Sequence, residues 1–274
     1  DHSEDRTANY AREQGAEVIA SAPLPDAWRG KTWACQQGAE RAMGDVLLFV
    51  DADVRFEPDG FSRLINTYQE GSGVLSVVPF HRVPDLYEQL SAFFNLIMVG
   101  GVGAFSVFGN RIRGAGLFGQ VLLVERSTYF RVGGHASVRE RILENFFLAD
   151  RFREAGVPMH CRGGQDTLTM RMYPDHLRQL VDGWRKAFSS GAAQAPPLIL
   201  CVISAWISGA FLSTILLLIG KDPTWVWVLL YVLFALQIHR MLRWIGTFRL
   251  ITSALFPVPL CFYVAVFVHS LFSK

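Results

Sequence analysis

Charge is scarce in this chain: only 18% of its 274 residues are Asp, Glu, Lys or Arg, and the formal net charge is +2. So small a balance, with no Lys/Arg run and no interleaving of basic and aromatic residues, gives no footing for a nucleic-acid partner. Cysteine is sparse too. Cys35, Cys161, Cys201 and Cys261 lack CxxC spacing, which argues against a zinc site or a disulfide framework and leaves them as buried thiols. There is no internal repeat and no low-complexity tract. No signal peptide is visible, and the chain opens in mid-motif: Asp1 to Thr7 has the pattern of a loop after a strand, so a first strand is expected before Asp1.

What the chain does have is apolar residues, 51% of the total, and they pile up after Ala195. Three uncharged stretches, 196–220, 223–238 and 250–272, read as membrane spans, the middle one short enough that a re-entrant hairpin is an alternative. Arg240, Arg243 and Arg249 follow the second, and Arg178, Arg185 and Lys186 precede the first. Between the first two stands only Lys221 beside Asp222. This asymmetry puts the polar part and the Arg loop in the cytoplasm, with Ser273 and Lys274 outside, in a multi-pass protein of the cell membrane. Anionic lipid head groups and phosphates are the natural partners of these basic residues.

Two further segments point to the bilayer. Residues 90–109 are uncharged, but crossing there would split the polar part, and Gly100, Gly101, Gly103 and Gly109 suit a loop or dipping segment better than a helix. Leu177, Leu180, Val181, Trp184 and Phe188 share one face of a helix, which fits an in-plane amphipathic helix at 174–195 or a surface helix packed on the domain.

Before them, strands alternate with helices, implying an α/β unit over residues 1–173 with a largely parallel sheet. Helices are expected at 8–14, 31–43, 58–70 and 144–155, and strands at 17–20, 45–50, 74–80, 120–124 and 167–172. The strand Leu47-Leu48-Phe49-Val50 runs into Asp51-Ala52-Asp53. Strand alternation would turn Asp51 and Asp53 the same way, at the carboxyl end of a strand, where ligands of open α/β sheets gather. Two carboxylates there suit Mg²⁺ or Mn²⁺ bridging to a nucleotide diphosphate. A capped turn is the alternative.

Asp1-x-Ser3-x-Asp5-x-Thr7, Trp28-x-Gly30-Lys31 with Ala34 and Gly38, and Gly44-Asp45 leading to Asp51-Ala52-Asp53 resemble the family-2 glycosyltransferases of GT-A fold. Gly119-Gln120, Gly133-Gly134-His135, Ile142-Leu143-Glu144-Asn145, Arg171-Met172-Tyr173-Pro174 and Gly183-Trp184 are most similar to the membrane-bound branch that includes diaponeurosporenoate (carotenoid acid) glycosyltransferases. The resemblance implies a GT-A-like domain lacking its first strand and followed by about three transmembrane helices. It implies a nucleotide-diphospho-sugar donor and a lipophilic acceptor, a carotenoid acid or a hopanoid- or polyprenyl-type lipid. Asp53 would bind the metal, Asp51 the donor or the metal's waters, and Asp1 the nucleotide. Lys31, at a helix start where a cation opposes the dipole unless an anion is present, would contact phosphate.

Catalysis in the family is usually inverting, with a carboxylate as general base. Where the family has an acidic pair ending in Asp, this chain has Glu144-Asn145, and an amide is no base. Glu144 is the candidate, with Asp150 as the alternative; about 240° of helical rotation separates them, so both cannot face one site. A carboxylic-acid acceptor, already ionised at neutral pH, would need no strong base. The Q-x-x-R-W pattern of processive members is absent, since Gln179 is followed by Leu-Val-Asp-Gly-Trp, so one sugar is transferred per acceptor. Rival readings are a degenerate nucleotide-sugar-binding module, which suits Asn145, and a transporter, against which the spans offer no buried acidic relay.

Overall fold

The computed structural model describes residues 5–103, 105, 116–191 and 197–272. Asp1, part of segment 90–109, the side chain of Phe188, and Ser273 with Lys274 lie outside the described residues. In chain order the elements are α1 (Thr7–Glu13), α2 (Gly30–Arg41), β1 (Val46–Val50), β2 (Val54–Phe56), α3 (Gly60–Gln69), β3 (Val74–Val78) and β4 (Phe80–His81). A 3-10 turn (Glu88–Ser91), α4 (Ala92–Gly101), β5 (Val121–Glu125), α5 (Arg126–Arg131), α6 (Glu144–Glu154), β6 (Met159–Gly163) and β7 (Leu168–Met170) follow. Then come α7 (Leu177–Gly191), α8 (Pro197–Leu218), α9 (Thr224–Ile245), α10 (Leu250–Ala254) and α11 (Pro257–Phe272).

The main sheet has the order β1-β5-β3-β6. β5 runs antiparallel to both its neighbours, and β3 pairs with β6 in parallel. The expectation of a largely parallel sheet therefore holds for the direction of three strands but not for the pairing, because β5 is inserted against them. Its sequence could not show this: a strand buried on both faces reads the same in either direction. Glu17–Ala20, expected as a strand, is in no strand pairing, and β1 is left as the sheet's edge among the described residues. β6, rich in His, Cys and Arg, escaped the apolar pattern altogether. β2, β7 and β4 form a second, small sheet.

Alternation along β3 and β5 builds two cores. Val74, Val78, Leu122 and Val124 face Ala39 of α2 and Leu148, Ala149 and Phe152 of α6, whereas Leu75, Val77, Val121 and Leu123 face Leu64 of α3 and Leu168. Each such side chain contributes about 1.5–3 kcal/mol on burial, so this sandwich fixes where β1 ends and where α2 and α6 begin.

A third cluster joins α4 to α7, α8, α9 and α11. Here two expectations change. Residues 92–101 form a helix, and Phe93, Phe94 and Leu96 are buried against the C-terminal helices, which outweighs the low helix propensity of the terminal glycines. On α7, Leu180 and Trp184 are buried too, with Trp184 stacked on Phe94 at 5.0 Å. The apolar face of α7 thus packs on protein at these positions, while Leu177 is exposed.

α8 and α9 are each long and apolar enough to cross a membrane, and their outward apolar residues, Leu212, Ile215, Val228, Leu229 and Leu233 among them, are exposed. Exposed apolar area of that extent marks a surface meant for a nonaqueous partner. Arg240 and Arg243, expected in a loop, lie in the last turns of α9, since backbone pairing continues past the apolar window. The expected third span is divided: α10 has five residues and α11 sixteen, broken before Pro257, which lacks the N–H that would continue the helix. Phe256 packs on Tyr231 and Phe234 of α9, and α11 then returns to α7, with His269 Nε2 3.4 Å from Arg185.

Candidate active site

Three elements of the sandwich end together. β1 delivers Asp51, whose N–H donates to the Gln120 carbonyl at 2.8 Å. Its own carbonyl accepts from Val54 N–H at 3.1 Å, so Asp51–Val54 is a turn and not extended strand. That corrects the expectation of a shared strand face: Asp51 is part-buried beneath the turn, and Asp53 is exposed upon it. The carboxylates remain within electrostatic reach. Burial raises the pKa of Asp51 against the pull of Lys31, and Asp53 adds to the rise.

α2 delivers Lys31 from its first turn. The ammonium lies 2.9 Å from Asp51 Oδ1 and 3.3 Å from Glu144 Oε1, and it donates to the Gly119 carbonyl at 3.1 Å. Burial would favour the neutral amine, but Glu144 and Asp51 outweigh it and hold the pKa above its ordinary value. These anions also offset the unfavourable placement of a cation at a helix N-terminus. Glu144 opens α6 with its side chain only 8% exposed, where a carboxylate suits the dipole. Asp150 points elsewhere: it makes a part-buried pair with Arg153 and does not line the cavity.

The cavity beneath this cluster has a volume of about 440 Å³ and is lined by Lys31, Asp51, Gly119, His135, Glu144 and Asn145, with Phe49 and Leu117 among its apolar walls. Sequence reasoning gave no role to His135. It is held by Tyr129, whose hydroxyl accepts His135 N–H at 3.0 Å and lies 2.8 Å from Nδ1. Burial, then Lys31, pushes the imidazole down to about 4, so it is neutral at physiological pH. The signal was in Gly133-Gly134: both have positive φ, and a Cβ on Gly134 would strike Tyr129 at 2.6 Å. Cys35 also borders the cavity, but burial pushes its thiol up to about 11 and so keeps it protonated.

Beside Asp53 stands Tyr173, brought there by the antiparallel pairing of Val54 with Met170. Its φ is 53°, strained for a bulky residue, and its ring covers Gly183 so closely that a Cβ there would collide with it. Burial, then Asp53, pushes its phenol up to about 12. Among the described residues no group of three or more His, Cys, Asp and Glu could hold a metal unaided, and Asp53 has no ion-pair partner. Two carboxylates on one turn, of which Asp51 lines the cavity, still fit a hard cation that takes its other ligands from water and phosphate.

A family model described as glycosyl transferase family 2 matches residues 1–147. The 4,4'-diaponeurosporenoate glycosyltransferase of Staphylococcus aureus strain USA300 is 34% identical over 278 residues, spanning 98% of this chain and 74% of that protein. The chain is a family-2 glycosyltransferase. The counterpart from Staphylococcus aureus strain MRSA252 is 33% identical over 283 residues, with the same coverage. Among solved structures, glucosyl-3-phosphoglycerate synthase from Mycobacterium tuberculosis, in complex with Mn²⁺, UDP-glucose and phosphoglyceric acid, aligns at 17% identity and a TM-score of 0.42, over 70% of this chain and 65% of that one. As a member of the family whose model it matches, the chain uses a nucleotide-sugar donor on a GT-A-like fold; its sheets are mixed, and it carries two strongly apolar helices.

Proposed function

We propose that this glycosyltransferase moves a single sugar from a nucleotide-diphospho-sugar to a lipophilic acceptor, a carotenoid acid, with inversion. The observation that carries the reading is the cluster of Lys31, Asp51 and Glu144 at the mouth of one cavity, in a chain similar over nearly its whole length to diaponeurosporenoate glycosyltransferases. Asp53, with Asp51, would hold a Mg²⁺ or Mn²⁺ ion that offsets charge building on the departing nucleotide diphosphate. Lys31 would bind the diphosphate. Its anions compete for the ammonium that otherwise neutralises Glu144, so donor binding frees that carboxylate to act on the acceptor. Glu144, not Asp150, is the base when the acceptor is a hydroxyl. Asp1 is proposed as a further nucleotide contact.

Residues 1–173 would form the catalytic domain, 174–195 its junction with the bilayer, and 196–274 the membrane part. α8 and α9 would cross as a hairpin with Lys221 and Asp222 at its far tip. Arg240, Arg243 and Arg249 at the near end favour a cytoplasmic catalytic domain. Because α11 returns to α7, α10 and α11 read as a re-entrant pair, and the proposed position of the C-terminal end moves to the catalytic domain's side.

The test is a donor screen on the full chain in detergent, with a carotenoid acid, a hopanoid alcohol and a polyprenyl phosphate as acceptors and mass spectrometry of the extracted lipids. Glycosylation of the carotenoid acid supports the reading, and transfer to another lipid corrects the acceptor. Metal-dependent donor binding without turnover on any of them would identify a degenerate module and overturn it.

A further inference from the structure

Asn145 stands beside Glu144 and has no part in the transfer chemistry assigned to Lys31, Asp51, Asp53 and Glu144. Its amide Nδ2 donates to the carbonyl of Leu117. Leu117 opens a backbone segment, Leu117-Phe118-Gly119, that forms one wall of the cavity and continues into Gln120. Two other residues anchor this wall. Ser76, fully buried on β3, accepts Phe118 N–H at 2.8 Å and donates to the Phe118 carbonyl at 3.0 Å, and the Gln120 carbonyl takes the Asp51 N–H. Asn145 also lies flat against Gly119, where an added Cβ would meet its Cγ at 3.5 Å. The Gly119 carbonyl in turn accepts from the Lys31 ammonium.

We propose that Asn145 is a positioning residue for the transfer: it fixes the Leu117–Gly119 wall, and through the Gly119 carbonyl it holds Lys31 between Asp51 and Glu144. This rests on the reading of the cavity as the donor site. An aspartate of the same shape could not do this. A carboxylate oxygen has no proton to donate and would face the Leu117 carbonyl oxygen instead. It would also set a third carboxylate against a single ammonium in a cavity that must admit a diphosphate. Asparagine here is therefore what the wall requires, and its presence is no sign of lost activity.

The probe is a panel of UDP, GDP, ADP and dTDP, each with Mn²⁺, titrated into the full chain in detergent by calorimetry. Asn145→Ala is expected to weaken the nucleotide that wild type binds by roughly tenfold, as for a lost hydrogen bond that leaves a partner unsatisfied. Asn145→Asp should weaken it more, and increasingly as pH rises through the carboxylate range. Because Asn145 acts through Lys31, adding Asn145→Ala to Lys31→Met should cost little beyond Lys31→Met alone. Additive losses would overturn the proposal, as would unchanged affinity with a lowered melting temperature, or tighter binding by Asn145→Asp. Wild type that binds none of the panel would overturn the donor-site reading itself. Wild-type binding that Asn145→Ala leaves intact would overturn only the role of Asn145.

Discussion

Substituting Glu144 by Gln separates two kinds of acceptor chemistry. General-base assistance is worth roughly 10²–10⁴-fold, about 2.7–5.5 kcal/mol, but only where a proton must leave in the transition state. A hydroxyl acceptor has a pKa near that of water, about 15.7. A carboxylic acid with a pKa near 4 is about 99.9% ionised at pH 7 and has no proton to surrender. Glu144→Gln also removes one of the two anions beside Lys31. At the 3.3 Å separation, Coulomb attraction would be about 5 kcal/mol at a dielectric of 20 and about 1 kcal/mol in water. The Lys31 side chain is 44% exposed and keeps Asp51 at 2.9 Å, so the lower figure applies. That change frees the ammonium for the donor diphosphate and is common to both acceptors, so it cancels in their ratio. The assay compares kcat/KM for a carotenoid acid and the corresponding alcohol, with wild type and variant in the same detergent. Glu144→Gln is expected to change the acid-to-alcohol ratio by roughly 10²–10⁴-fold in favour of the acid. A ratio that stays within about threefold would refute the assignment of Glu144. So would a large hydroxyl-specific defect in Asp150→Asn beside a near-neutral Glu144→Gln.

Asp53→Ala should abolish metal-dependent nucleotide binding in calorimetry, whereas Asp59→Asn should leave it unchanged; Asn is the control because Asp59 has a φ of 60°, which Ala tolerates poorly. Equal affinities for Asp53→Ala and wild type would refute the metal assignment. For topology, a cysteine at Lys221 should react with an impermeant thiol reagent on intact cells, and one at Phe272 only after lysis, in a background with the native cysteines replaced; labelling of the Phe272 site on intact cells would restore a third crossing. Acid should destabilise the fold between pH 6.5 and 4. Burial holds His81 and His135 at about 4, against an ordinary value of 6.5, so below 6.5 the unfolded chain binds protons that the folded chain refuses. Stability is then complete above 6.5 and falls by about 3 kcal/mol per histidine on reaching pH 4. Melting curves that do not change with pH in this window would contradict it.

What could be read from the chain alone was local. The apolar run of β1, the helices starting at Lys31 and Glu144, and the acids at Asp51 and Asp53 each declare themselves within a few residues. Their assembly does not. Nothing near Lys31 in the sequence says that its ammonium will meet Glu144, because that contact depends on α2 and α6 packing on the same face of the sheet. The strand alternation drawn through Asp51-Ala52-Asp53 failed for a physical reason: Val54 donates back to Asp51, and a turn replaces the pleat. Periodicity likewise cannot foresee the division of 250–272, where two prolines, Pro257 and Pro259, and a partner surface on α7 prevail over apolar length.

Hydrogen bonds join the apolar helices directly to the α/β part of the chain. The Gln89 amide donates to the Val83 carbonyl at 2.8 Å, while its oxygen accepts Arg249 N–H at 3.0 Å and the Thr252 hydroxyl at 2.6 Å. Thr247 closes the junction, donating its N–H to the His81 carbonyl at 2.9 Å and accepting Val83 N–H at 2.8 Å. Gly246 passes so near His81 that an added Cβ would lie 2.6 Å from its carbonyl oxygen. These bonds tie β4 to the end of α9, and β4 pairs with β7, whose other neighbour β2 begins one residue after Asp53. The hairpin α8–α9 is thereby connected through two paired strands to the acidic turn. On the proposed reading, an acceptor held by the apolar helices would meet a donor whose distance from those helices is set by backbone pairing, which would help to orient the reactants.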